Sequence, residues 1–174
     1  MSEYQKNFES IVTKYKLSLF KVAATFEADP IIQQDLLQEI LLAIWQALAT
    51  FKANSSLHTF IYRVAYNQAL NHVAKQSRKN NFTELSEEIS AELSESVECQ
   101  KSDIESHVST IKSVENLISK IRLLPVKQRQ LVTLSLEGVS YQDMAEISGL
   151  SASNVGVQLT RAKAKLMQLM EHQS

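Results

Sequence analysis

The chain contains one cysteine, three glycines, two prolines and one tryptophan in 174 residues. Each shortage excludes something. A lone Cys99 cannot close an internal disulfide, and it suits a reducing cytoplasm. So little glycine and proline, with 44 % hydrophobic residues, favours a soluble all-α protein over a sheet that needs many tight turns. No apolar run reaches the ~18–20 residues of a membrane span. The opening Met1-Ser-Glu-Tyr-Gln-Lys6 has no apolar signal-peptide core. Glycine-rich phosphate loops and nucleophile–base arrangements are missing, and His58, His72, His107 and His172 show no metal-ligand spacing with Cys99. Glu98 and Glu95 beside Cys99 disfavour a thiolate, which argues against a redox sensor. No enzyme activity, metal or cofactor is expected.

A net charge of −1 argues at first against a nucleic-acid partner, but the charge is unevenly placed. Residues 1–80 carry nine Lys/Arg and six Asp/Glu, residues 81–110 one and eight, and residues 111–174 eight and five. Two mildly basic blocks therefore flank an acidic one. The helical pattern divides in the same way. Phe8, Ile11, Val12, Tyr15, Leu19, Val22, Ala23 and Phe26 recur at steps of three and four, predicting a helix over 4–27. Asp29-Pro30 starts a second, over 30–50, expected to bury Ile32, Leu36, Leu37, Ile40, Leu41, Ile44, Trp45 and Leu48. The polar segment 52–56 leads to a third over 57–79, capped by Ser55 or Ser56 and ending in Lys75-Gln-Ser-Arg-Lys79. Residues 80–106 are rich in Ser and Glu and read as a linker. A weaker helix over 107–123 (Val108, Ile111, Val114, Ile118 and Ile121) and another over 125–137 follow. The expected organisation is thus two helical domains, 1–79 and 107–174, joined by an acidic flexible linker, 80–106.

The last third carries the clearest motif. Ser140 to Leu166 holds two helical patterns, about 140–148 and 152–170, joined by a very short turn. Ala145 is small enough for close helix contact, Gly149 marks a turn that needs positive φ, and Val155 packs the second helix on the first. Ser140 and Asp143 form a capping box with Asp in place of Glu. This is the pattern of a helix-turn-helix, which places its second helix in the DNA major groove. Ser151, Ser153 and Asn154 stand at the start of that helix, where bases are read; Gln158 follows, and Arg161, Lys163 and Lys165 suit phosphates.

The stretch Asp35-Leu-Leu-Gln-Glu-Ile-Leu-Leu-Ala-Ile-Trp-Gln-Ala-Leu48, followed by Phe51 to Asn71, resembles the polymerase-binding and minus-ten-binding region of bacterial sigma factors of the small, two-domain extracytoplasmic-function type. Leu124-Pro125 through Arg161-Ala-Lys163 resembles their minus-thirty-five-binding region. The two matches cover most of the chain outside the linker, in the family's order. The resemblance implies that Asp35, Gln38 and Glu39 dock on core RNA polymerase; their spacing puts them on one helix patch. It implies that Lys52, Asn54, Ser55 and Ser56 hold an unstacked base of the melted minus-ten strand. Tyr62, Arg63, Tyr66, Asn67, Asn71, Lys75 and Arg78 would line the helix that contacts this DNA, with half-buried packing as the other role open to the two tyrosines. Promoter DNA, duplex and melted, would then be a partner besides polymerase. An anti-sigma factor wedged between the two domains is common in the family; the sequence neither shows nor excludes one.

Some residues depart from the family pattern. The recognition helix reads Val155-Gly-Val-Gln158 where many relatives have Val-Lys-Ser-Arg, so weaker phosphate anchoring is expected, and Gly156 costs roughly 1 kcal/mol of helix stability relative to Ala. Phe60 stands where many relatives have Trp, and Asn71 where they often have Asp. The two promoter elements of the family lie roughly 55 Å apart at 3.4 Å per base pair. A relaxed coil of about 27 residues spans only roughly 25–30 Å, so the linker must stretch to serve both. Its acids are expected to lie in the channel that RNA otherwise occupies. A stand-alone helix-turn-helix regulator that binds duplex DNA without polymerase remains the alternative; it has no need of the Asp35–Glu39 patch or of the loop at 52–56.

Overall fold

The computed structural model describes residues 3–84 and 105–171, all of whose regular structure is helical. Its elements are α1 (Glu3–Lys6), α2 (Phe8–Phe26), α3 (Pro30–Leu48), α4 (Leu57–Glu84), α5 (Glu105–Ile121), α6 (Val126–Leu136), α7 (Tyr141–Ser148) and α8 (Ala152–Glu171). The first expected helix is thus divided at Asn7, and α4 runs five residues past Lys79. The middle of the acidic linker, with Cys99, lies outside the described residues. No helix of the described residues is long and apolar enough to cross a membrane.

Local chemistry explains the boundaries. The Asp29 carboxylate accepts hydrogen bonds from the backbone N–H of Ile31 (2.8 Å) and Ile32 (3.2 Å), and Pro30 sits at the first position of α3. The Ser56 hydroxyl accepts from the Thr59 N–H at 3.0 Å and so caps α4. The Ser140 hydroxyl accepts from the Asp143 N–H at 3.1 Å, one half of the expected capping box, while the Asp143 carboxylate takes the Ser140 hydroxyl rather than its backbone N–H. Gly149, at φ 72°, ends α7 in the left-handed region.

The N-terminal half is a packed set of α2, α3 and α4. Leu19, Val22 and Ala23 of α2, Leu36, Ile40, Ile44 and Leu48 of α3, and Ile61, Ala65 and Ala69 of α4 are buried. Ile32 and Trp45, expected inside, are each 39 % exposed, and Val114 of α5 is likewise exposed. They belong to the helical pattern, but not to its inward stripe. In the C-terminal half, α8 packs on α5, α6 and α7 through Val155, Leu159 and Ala162. The two halves also pack on each other: α2 meets α5 and α6, and α4 meets α7. Arg122 donates from Nε to the Ala24 carbonyl at 2.7 Å, and the Arg129 guanidinium lies over the Phe26 ring.

Candidate polymerase and nucleic-acid interface

α3 presents two opposed stripes. The inward one is Leu36, Ile40, Ile44 and Leu48. At about 100° per residue, Ile31, Asp35, Gln38, Glu39 and Leu42 share the opposite side, with Trp45 at its edge. All six are exposed, Ile31 by 75 % and Leu42 by 56 %. Glu39 accepts a hydrogen bond from Gln68 Nε2 at 2.8 Å, which braces it across to α4. Two carboxylates, Asp35 and Glu39, are thus set among exposed apolar side chains on one face.

The loop between α3 and α4 contains Ala53 at φ 55°, a backbone state that costs a non-glycine residue energy. Beside it opens a cavity of about 160 Å³ lined by Thr50, Phe51, Lys52, Asn54, Ser55, Phe60 and Arg63. The Phe51 and Phe60 rings lie 4.5 Å apart, and the Arg63 guanidinium sits over Phe60. An aromatic wall, an amide, a hydroxyl and two cations in one open pocket can hold an unstacked base and its phosphate. Ser56 does not line the pocket; its hydroxyl serves the α4 cap.

Along α4, Asn67, Asn71, Lys75 and Arg78 are exposed and continue one stripe away from Arg63. Tyr62 and Tyr66 are 1 % and 0 % exposed, a correction to their reading as strand contacts. They stack on each other at 6.3 Å and meet Tyr15 and Phe26 edge-on. Burial pushes the Tyr62 phenol up to about 12 and that of Tyr66 well above its ordinary value. Both remain neutral in the core of α2 and α4.

In the helix-turn-helix, Ser151, Ser153, Asn154, Arg161 and Lys165 are exposed on α8. The Ser151 hydroxyl accepts from the Asn154 N–H at 3.2 Å and so caps the helix. Gln158 is half-buried, its side-chain oxygen accepting from Gln128 of α6 at 3.3 Å. Asn154, Arg161 and Lys165 fall within roughly 40° of one another round the helix, whereas Lys163 lies on the far side, roughly 180° from Asn154. Lys163 is therefore not brought together with the others. α8 runs unbroken through Gly156, where an added Cβ would meet Tyr141 at an ordinary 3.6 Å.

Three carboxylates link the halves. Glu137, just after α6, accepts from Lys21 Nζ (2.7 Å), Ser18 Oγ (2.5 Å) and Tyr62 OH (3.2 Å). Asp143 accepts from Thr59 Oγ1 at 3.0 Å, and Glu146 pairs with Arg63 at 3.1 Å. Burial pushes the Glu137 carboxyl up, but the hydrogen bonds from Lys21 and Ser18 outweigh it and hold the group below its ordinary value. Hydrogen bonds from Ser140 and Thr59 hold Asp143 low in the same way. None of these pairs was legible in the sequence: the partners stand 75 to 119 residues apart, and no spacing rule reaches that far. Of the pocket residues, Thr50, Phe51 and Phe60 were also missed as a group; the Phe51 next to the polar loop was the available signal.

The Sigma-70 region 2 family matches residues 11–79, and the Sigma-70 region 4 family matches residues 114–166. The RNA polymerase sigma-H factor of Pseudomonas aeruginosa is 29 % identical over 163 residues, covering 91 % of this chain and 83 % of that protein. The ECF RNA polymerase sigma-E factor of Escherichia coli K12 is 27 % identical over 170 residues, covering 91 % and 84 %. Among solved structures, the sigma factor RpoE in complex with the anti-sigma factor NepR from Bartonella quintana superposes with a TM-score of 0.71 at 20 % identity, covering 95 % of this chain and 98 % of that one. CnrH in complex with the cytosolic domain of CnrY superposes with a TM-score of 0.67 at 19 % identity, covering 98 % and 91 %.

Proposed function

Because the chain belongs to the sigma-70 family, as a sigma factor of the extracytoplasmic-function type, we propose that it docks on core RNA polymerase through the outer stripe of α3, reads a minus-thirty-five element with α8 and holds the melted minus-ten strand on α4. It is an alternative sigma factor that binds RNA polymerase. The division of labour among its helices is the proposal. The observation that carries it is the exposed row Ile31, Asp35, Gln38, Glu39, Leu42 and Trp45, whose carboxylates match a basic partner and whose apolar members match a protein surface. The pocket beside Ala53 supports the strand-binding role, and its phenylalanines and Arg63 suit one base flipped from the stack. From there Asn67, Asn71, Lys75 and Arg78 continue a polar and basic track. In this reading 1–79 is the polymerase- and strand-binding domain, 107–174 the duplex-binding one and 80–106 their connector.

The chemistry of RNA synthesis stays with the polymerase, and the protein works in the cytoplasm with the chromosome. Asn154 reads bases, and Arg161 and Lys165 hold phosphates. One of the solved relatives is bound to an anti-sigma factor, and an anti-sigma partner is proposed for this chain as well. Its seat would be the seam of α2 and α5, where Phe20, Val114 and Leu136 are exposed beside two grooves.

The test is binding to sigma-free core polymerase, with Asp35→Arg/Glu39→Arg as the control. The wild-type chain is expected to bind and to support promoter-specific initiation. The double variant is expected to fold normally and to lose binding. A folded wild-type chain that binds a promoter duplex tightly and ignores polymerase would favour a stand-alone regulator.

A further inference from the structure

We infer that Glu27 is a positioning residue for the strand face: from the corner between α2 and α3 it holds the second half of α4, and with it Asn71, Lys75 and Arg78, in line with the pocket at Arg63. Such a role rests on α4 being the strand-binding helix. It adds a residue that touches no nucleic acid and yet decides how far along α4 the strand is held.

Glu27 is 8 % exposed, and burying a carboxylate is costly unless hydrogen bonds replace its water. Here they do. One oxygen accepts from the backbone N–H of Ala28 (2.7 Å) and of Asp29 (2.9 Å), the other from His72 Nε2 (2.8 Å) and Gln76 Nε2 (2.6 Å). A carboxylate only accepts, so the His72 hydrogen lies on Nε2. Burial pushes the Glu27 carboxyl up, but the bonds from His72, Asp29, Gln76 and Ala28 outweigh it and hold the group below its ordinary value. One side chain thus joins the α2–α3 corner to residues 45 and 49 positions further along the chain. None of the four bonds involves the C-terminal half.

α4 needs an anchor at this point. Ile61, Ala65 and Ala69 recur on its inward side, and Ala69 is the last buried residue among the described residues of the helix. Beyond it Leu70 and Val73 meet the core only in part. At about 100° per residue, His72 and Gln76 continue the inward side. Apolar packing therefore holds the first half of α4, and Glu27 takes over in the second. The exposed track lies beside these two residues: Asn71 precedes His72, Lys75 precedes Gln76, and Arg78 follows. From Arg63 to Arg78 the helix rises about 22 Å at 1.5 Å per residue, room for about six nucleotides at 3.4 Å each. A helix end with little burial frays, and a frayed end does not present cations to phosphates at a fixed spacing. The joint at Glu27 orders that end beforehand, so that the cost of ordering does not fall on strand binding.

The test uses the full chain bound to core polymerase and two single strands from a promoter selected in vitro by the reconstituted holoenzyme. The shorter strand ends at the pocket, and the longer runs on by about six nucleotides, the reach of the track. Wild type is expected to bind the longer strand more tightly. Glu27→Ala is expected to weaken the longer strand about tenfold, the scale of one charge-assisted hydrogen bond, and to leave the shorter one unchanged. His72→Ala/Gln76→Ala removes the α4 side of the joint but keeps the bonds from Ala28 and Asp29. It is expected to give the same split, which keeps the test decisive should Glu27→Ala fail to fold. Glu27→Gln is expected to bind like wild type: its oxygen keeps the two backbone bonds, and its two N–H groups serve His72 in the other tautomer and Gln76 with its amide turned. Unchanged affinity for the longer strand in both alanine variants overturns the inference. Equal weakening of both strands, the sign of a destabilised domain, overturns it as well. So does a Glu27→Gln chain as weak as Glu27→Ala, since charge rather than the bonds would then act. A wild-type chain that gains nothing from the longer strand would instead overturn the track on α4 itself.

Discussion

Two helices, α4 and α8, face nucleic acid in this account, and the closed chain treats them differently. α8 gives one stripe, Val155, Leu159 and Ala162, to its own half and presents the other to solvent. α4 has its first turns under α7, with Thr59 and Arg63 engaged by Asp143 and Glu146. The difference comes from what a short bracing helix must do. α7 buries Met144 and Ile147 to support α8, so its remaining surface is polar and acidic, and that surface is what meets α4. Apolar burial runs through both halves as one cluster, and the polar pairs, with Arg122 on the Ala24 carbonyl and Arg129 over Phe26, are added to it at the seam.

The comparison can be pressed with substitutions of decreasing effect. The largest is expected inside the N-terminal half. Ile40 is 0 % exposed, so Ile40→Ala should lower unfolding free energy by about 2–5 kcal/mol in denaturant titrations. The stripe opposite behaves otherwise, since Asp35→Ala should stay within about 0.5 kcal/mol of wild type. Next comes the open helix. Asn154→Ala should cost about 1–3 kcal/mol of discrimination at one base pair of the upstream duplex, while Arg161→Ala weakens all duplexes alike; competition binding with single-base variants checks both.

Gly156→Ala should raise stability by about 1 kcal/mol, since α8 is helical there and the added Cβ meets Tyr141 at 3.6 Å. Thermal melts report that gain. A loss of duplex affinity in the same variant would show that DNA needs the bare backbone at this turn. The smallest effect is that of pH on the seam. Glu137 titrates below its ordinary value in the closed chain, so its contribution is full above the ordinary carboxylate range and is lost as pH falls through the lowered value. Scattering profiles should be flat around neutrality and should show expansion only in acid.

Local signals made most of the helices legible. Asp29-Pro30 announced α3, Ser140 with Asp143 announced α7, and Gly149 announced its end, because capping depends on residues within one turn. That Asp35, Gln38 and Glu39 share one exposed face was legible from helical spacing alone, whereas their docking role comes from the family resemblance. Exposure was harder to read. Periodicity marks Ile32, Trp45 and Val114 as apolar, but an apolar residue kept for a partner has the same pattern as one kept for the core. Tyr62 and Tyr66 mislead in the opposite sense: aromatic residues among basic ones suggest stacking on bases, and here they stack on each other, Tyr15 and Phe26. The carboxylates at 137, 143 and 146 gave no sign of their partners, because nothing periodic connects residues in different halves.

The most direct measurement compares the two faces in one protein. Affinity for the minus-ten single strand and for the minus-thirty-five duplex, both taken from a promoter selected in vitro by the reconstituted holoenzyme, would be measured for the free chain and again with core polymerase bound. The account predicts that polymerase raises strand affinity about tenfold or more, a typical coupling between two binding sites. It predicts a much smaller change for the duplex, because α8 is already open. Equal gains on both faces, or a free chain that binds the strand as tightly as the holoenzyme does, would contradict it.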